Sequence, residues 1–178
     1  YELYIYYEQE EASIHHILTE KQIPFHWIYL ISSEKQYEDL EKLETKYGNE
    51  YVEVHPIYTG DNLPFFEENV YLAEEDILQS NYDKQDIFAH QVMNTNFWGR
   101  LSVLPDGKVY SNLNHPPLGT LKDRVYDLIV DEMTSKRAWR WIRDEVSPCK
   151  DCLFRYLCPS PSNYELVIGK PNLCHVKP

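Results

Sequence analysis

The chain has 178 residues, 17 of them basic and 29 acidic, for a formal net charge of −12. That length supplies one good core or two small domains sharing an interface. The excess of carboxylates argues against nucleic acid as a partner, because phosphate binding needs a basic face, and no apolar run reaches membrane-spanning length.

The first sixty residues read as alternating strand and helix. The chain opens at Tyr1 directly on Glu-Leu-Tyr-Ile-Tyr-Tyr, a strand pattern, as a fragment of a longer protein would. Glu10–Lys21 carries Ile14, Ile17 and Leu18 on one helical face, and Pro24 stops it. The run 25–32 (Phe-His-Trp-Ile-Tyr-Leu-Ile-Ser) is too continuously apolar for a half-exposed strand and suits one buried on both faces, as in parallel sheets. Ser33 and Gln36 form a capping-box pattern opening a second helix, with Tyr37, Leu40, Leu43 and Tyr47 roughly on one stripe and Gly48 at its close. Tyr51–Ile57 is a third strand. Three strands with intervening helices imply right-handed crossovers and a parallel sheet, which fits the remainder of a partial α/β barrel.

From 58 to 96 the periodicity weakens. Glu74–Gln79 and Lys84–Met93 read as short helices, and the acidic run of Asp61, Glu67, Glu68, Glu74, Glu75 and Asp76 as a solvated connector. Order returns at 101–111, where two short runs flank Pro105-Asp106-Gly107 as a hairpin. Arg124–Met133 is expected to be helical with Val125, Leu128, Ile129 and Met133 inward. Ser135–Glu145 is expected as a second helix burying Ala138, Trp141 and Ile142, with Trp139 and Trp141 in packing roles. The histidines, including His15, His16, His55 and His175, carry no assigned chemistry.

All four cysteines fall in the last thirty residues, spaced C-x2-C-x5-C-x15-C at Cys149, Cys152, Cys158 and Cys174. Cysteines used as small core hydrophobes would be scattered, so the clustering points to thiolates converging on one metal centre, zinc or an iron–sulfur cluster. A zinc site usually pairs two short knuckles, and only the first half here has that form. Two disulfides in any of three connectivities remain open, although a chain with no hydrophobic leader and no cysteine in its main body reads as cytoplasmic rather than secreted.

The spacing resembles that of the SPASM domain, the C-terminal auxiliary iron–sulfur domain of radical SAM peptide maturases. That family carries a C-x2-C-x5-C-x3-C run and one distant cysteine. The resemblance covers about residues 94–178, and Pro105-Asp-Gly-Lys-Val-Tyr110 and Leu118-Gly-Thr-Leu121 look like the family's hairpin and the segment after it. It implies that Cys149, Cys152, Cys158 and Cys174 hold one 4Fe–4S cluster. The family's other auxiliary cluster has no thiolates here: Asn112 and Ser162 occupy two of its ligand positions, and 94–100 supply none. The C-x3-C-x2-C loop of radical SAM chemistry is not in this sequence, so it lies upstream of Tyr1 or the protein never had it. The tail Tyr156-Leu-Cys-Pro-Ser-Pro-Ser-Asn-Tyr-Glu with Gly169-Lys-Pro-Asn-Leu-Cys174 looks like the pseudo-radical SAM proteins of Bacteroidales peptide-maturation systems. The implied organisation is a partial α/β barrel remainder over 1–93 and a SPASM-like domain over 94–178. The implied role is accessory, assisting maturation of a ribosomally made peptide through contact with the precursor or a true radical SAM enzyme, with no S-adenosylmethionine site and no membrane. The alternatives are the C-terminal half of an active radical SAM enzyme and a zinc-stapled interaction module.

Overall fold

The computed structural model describes residues 2–6, 12–39 and 52–177. The protein is a mixed α/β chain with small sheets and several helices, and it packs as two compact units, Tyr1–Val70 and Tyr71–Pro178.

In the first unit, strands β1 (Glu2–Tyr6), β2 (His26–Ile31) and β3 (Val52–Pro56) form a parallel sheet in the order β1-β2-β3. Helix α1 (Ala12–Glu20) lies between the first two strands, and α2 (Glu34–Glu38) follows the second. The register sets Tyr4 beside Ile28 and Ile28 beside Glu53, so the expected parallel pairing is present. The central strand is the core of this unit: Trp27, Ile28, Tyr29 and Ile31 are all buried, which is why its sequence is apolar without alternation. Ser33 caps α2 by accepting from the Gln36 amide, while the Gln36 side chain accepts from Ser32 N–H at 2.8 Å rather than from Ser33 itself. The continuation of that helix toward Tyr47 and Gly48 lies outside the described residues. The anchor at 63–66 opens α3 (Leu63–Asn69), with Pro64 in the first turn, where its missing N–H does no harm. Its Phe65 and Phe66 are buried.

The second unit begins with α4 (Glu74–Leu78) and α5 (Lys84–Val92), both where the sequence places them. Residues 71–93, grouped by the sequence with the sheet, pack in this unit: Leu72 forms a parallel bridge with Cys174, and His90 donates from Nδ1 to the Tyr156 carbonyl at 2.9 Å. Asp61, Glu68, Glu74, Glu75 and Asp76 of the acidic run are exposed, as expected of a solvated segment.

The hairpin forms from β4 (Ser102–Val103) and β5 (Lys108–Tyr110), with Gly107 at φ 79° in the turn, a left-handed position where a side chain would be strained. A third strand, β6 (Gly119–Thr120), pairs with β5. Gly119 is held there by close approach, since a Cβ would stand 2.7 Å from Leu128 Cδ2.

Helix α6 (Val125–Ser135) forms as expected, but its inward face differs. Leu128 and Glu132 are buried, whereas Val125 is 61% exposed and Ile129 is also exposed. The expected helix over 135–145 is absent, leaving one 3-10 turn at Arg143–Glu145. The cause is Glu132. One carboxylate oxygen accepts from the Ala138 and Trp139 amides at 2.7 and 2.9 Å, and the other accepts from the Ser111 hydroxyl at 2.7 Å. Those bonds draw the chain back across the end of α6 through Lys136, which sits in the left-handed region at φ 50°. Periodicity alone cannot see a carboxylate that competes for the next turn's amides. Ala138 and Ile142 are still buried, but Trp139 is buried where Trp141 was expected, and Trp141 is half-buried. Among the described residues, no helix is long and apolar enough to cross a membrane.

Candidate metal centre

The last segment has little regular structure of its own. Two short turns and one six-residue helix, α7 (Asn163–Ile168), carry it, so side-chain hydrogen bonds must shape it. The Ser147–Pro148 peptide is cis, and a 3-10 turn over Cys149–Asp151 follows. The Cys152 and Cys158 amides bond back to the Cys149 and Phe154 carbonyls at 2.9 and 3.0 Å, folding the first three cysteines into consecutive tight turns. Cys174 is brought in from elsewhere. Leu72 N–H donates to the Leu173 carbonyl at 3.1 Å and His175 N–H to the Leu72 carbonyl at 3.0 Å, so the distant cysteine sits on a short strand-like bridge.

The outcome is convergence. Cys149, Cys152, Cys158 and Cys174 line one cavity together with Ile77, Arg143, Pro148, Arg155, Asn172 and Val176. None is in a disulfide: all four thiols are free. The wall offers no carboxylate or imidazole, so the donor set is soft sulfur, which suits zinc or an iron–sulfur cluster and not a hard cation. The cavity is nevertheless narrow, about 20 Å³ of space for a water-sized sphere. Among the described residues, no three His, Cys, Asp or Glu side chains are gathered as a ready site for a metal ion. The chemistry of the donors fits either group, and neither geometry is pre-set.

Burial acts on two of the four thiols. It pushes the Cys158 thiol up to about 11, against the opposing pull of the Arg143 charge. Cys149 is likewise raised by burial and partly restored by Arg143. Metal binding at Cys149 and Cys158 must therefore displace protons that burial helps to hold there.

Several residues around the cavity carry no sequence signal of the kind that singles out the cysteines. Arg143 is nearly excluded from water. Its Nη2 donates to Glu165 Oε1 at 2.7 Å, its Nε to the Pro159 carbonyl at 3.1 Å, and its Nη1 to the Pro171 carbonyl at 3.2 Å and to Cys149 Sγ at 3.8 Å. Burial penalises the cation, but the Glu165 carboxylate and then the Cys149 sulfur outweigh that penalty, and the guanidinium holds its proton more tightly than usual. Arg155 pairs with Asp144 at 2.8 Å and donates to the Cys152 carbonyl at 3.1 Å, and Asn172 Nδ2 donates to Cys174 Sγ at 3.3 Å. The legible signal for Glu165 was Ser162-x-x-Glu165, a capping box in which Ser162 accepts from Tyr164 N–H and Glu165 accepts from Ser162 N–H at 2.8 Å. Arg143 had no such signal, because its partners lie 6 to 28 residues away.

Beside this cavity lies a second cluster, wholly polar. Asn94 is completely buried and donates to the Trp141 and Pro161 carbonyls at 2.9 and 2.8 Å. Thr95 N–H donates to Ser160 Oγ at 3.0 Å, and Asn112 Nδ2 to Asn163 Oδ1 at 2.7 Å. Asn112 and Ser162, the two positions set against family cysteines, thus stand on or beside this network and serve as hydrogen-bonding residues.

His175 is exposed, with its ring 5.7 Å from Tyr71, and does not line the cysteine cavity. His55 and His26 both face Glu53, at 2.5 and 3.1 Å, on the sheet of the first unit. No protein-family model, curated protein or solved structure matches this chain.

Proposed function

We propose that the second unit is a SPASM-like domain whose Cys149, Cys152, Cys158 and Cys174 hold one 4Fe–4S cluster, attached to the remainder of a partial α/β barrel. In this reading the chain is an accessory, pseudo-radical SAM protein in maturation of a ribosomally made peptide. It docks the precursor or a true radical SAM enzyme rather than performing radical chemistry. The single observation that supports it best is the convergence of four free thiols, drawn from positions 149 to 174, on one cavity lined by neither carboxylate nor imidazole. A bound cluster would supply one-electron transfer or structural cross-linking. With four thiolates as protein ligands, no iron is left open to a substrate. The chain's own part is to bring the sulfurs together, exclude bulk water with Ile77, Pro148 and Val176, and offer N–H donors from Arg143 and Asn172 to two of them.

A single zinc is the second reading, because four thiolates are equally a zinc donor set. Anaerobic reconstitution with iron and sulfide separates the two. The cluster reading expects a brown protein with broad visible absorption, bleached by dithionite. A colourless protein that analyses for one zinc after the same treatment overturns it.

A further inference from the structure

We infer that Arg143 is the positioning residue of the four-cysteine centre, a buried tether joining the chain segments that carry the ligands. The inference rests on the metal-binding reading above and adds a residue to it. The cysteines lie on three stretches: the turn at Cys149–Asp151, the loop reaching Cys158, and the bridge strand ending at Cys174. One guanidinium touches all three. It bonds the sulfur of Cys149, the carbonyl of Pro159 next to Cys158, and the carbonyl of Pro171 on the approach to Cys174. Its remaining donor meets Glu165, whose other oxygen takes the Ser162 amide and so fixes the start of α7 between the third and fourth ligands.

Planarity makes this possible: the five N–H groups of arginine radiate in fixed directions, and an ammonium on a flexible stem cannot span the same carbonyls. The centre gains from such a tether because its ligands come from separate stretches of chain that carry little regular structure of their own. Residues that hold metal ligands from behind typically alter affinity by about 10–100-fold. The Nη1 to sulfur contact also places positive charge where a cluster's electron density would change on reduction.

The test compares wild type with Arg143→Lys, Glu165→Gln and the double variant Arg143→Met/Glu165→Leu, using cobalt(II) alone as one probe and iron with sulfide as the other. The double variant removes both buried charges together, so neither is left uncompensated and the fold should persist. It and Arg143→Lys are expected to bind cobalt at least about tenfold more weakly and to retain less iron and sulfide. Glu165→Gln is expected to keep its cluster but show a higher midpoint potential, because the arginine charge is then no longer offset. Wild-type cobalt affinity and cluster content in Arg143→Lys and the double variant overturn the tether, even if wild type carries a cluster. Should the double variant fail to fold, Arg143→Lys alone decides by the same readouts. Should wild type bind neither probe, the metal reading fails, and the tether is judged by amide hydrogen exchange in the metal-free protein. There Arg143→Lys should lose protection across 152–174, and unchanged protection overturns it.

Discussion

Asn94 and Pro161 are 67 residues apart in the chain, yet the Asn94 side-chain amide donates to the Pro161 carbonyl at 2.8 Å in a site closed to water. A second donation from the same amide reaches the Trp141 carbonyl, and Asn94 Oδ1 accepts from Asn96 N–H at 2.9 Å. Asn94→Ala strips the Trp141 carbonyl of its side-chain donor and leaves the Pro161 carbonyl with only the longer bond from Asn96 Nδ2 at 3.3 Å. Leaving a buried polar group unpaired costs about 1–3 kcal/mol. The variant should therefore unfold at clearly lower denaturant concentration than wild type. An unchanged midpoint would mean that water reaches the vacated space and replaces the bonds.

Glu132 governs a second junction. Its carboxylate takes two amides and one hydroxyl where a helix was expected to continue. Glu132→Leu leaves two buried backbone amides without their acceptor, with a loss of about 1–3 kcal/mol. Far-ultraviolet circular dichroism of the variant should show no less helix than wild type, because the segment after α6 is irregular already. Thermal unfolding should occur at lower temperature, and an unshifted transition argues against this account.

The cysteine loop should be conditionally ordered. Cys152→Ser removes one ligand and with it much of the folding free energy a metal would contribute to residues 149–158. Limited proteolysis should then cut near Leu153, which is 90% exposed, while the first unit stays intact because its core is the apolar strand β2. The bonds from Asn94, Thr95 and Asn112 to residues 160–163 do not involve sulfur, so cleavage should be sparse there. Global unfolding of this variant would show instead that both units depend on the metal loop.

Alkaline pH should separate metal-free from loaded protein. Burial lifts Cys158 from the ordinary thiol value of 9.0 to about 11. A group whose folded value is raised lends stability that is fully present below its unfolded value. That stability is lost as pH climbs through the folded value, because the unfolded chain releases its proton first. The metal-free protein should weaken progressively between those two limits, whereas thiolates bound to metal have no proton left to lose. Equal slopes for the two forms in denaturant titrations across this window would contradict the assignment of Cys158 as a ligand.

The accessory role predicts that the chain neither binds S-adenosylmethionine tightly nor cleaves it under reducing conditions. Reductive cleavage by the purified chain would falsify that role and promote the enzyme alternative. With a net charge of −12, the chain should favour a basic stretch of precursor or partner, and the complex should weaken as salt rises to physiological strength. Salt-independent binding would remove the electrostatic component only.

What could be read from the residues was whatever repeats at short range. The parallel sheet followed from the apolar run at β2 and the helical stripes beside it, and the hairpin from Pro105-Asp-Gly107. The gathering of the cysteines was legible in their clustering, four within 26 positions, although the residues alone left two disulfides open. Long-range polar pairing was not legible. Arg143 sits in an Arg- and Trp-rich stretch that looks like an amphipathic helix, and only the folded chain reveals that it faces Glu165. Glu132 has helical spacing with Leu128 and would be expected at a solvent margin, yet it is buried because its acceptors are matched by donors from 111, 138 and 139.

The bridge between Leu72 and Cys174 limits where this protein can be divided. A fragment beginning at Asn94 would contain every cysteine and still lack the partner strand that seats the fourth, together with Ile77 from the cavity wall. Its loose end would have to find the other three thiols by chain diffusion rather than by backbone pairing. Excision for transplantation onto another scaffold should therefore start no later than Tyr71, and the minimal portable piece is set by a backbone hydrogen bond rather than by the ligand spacing.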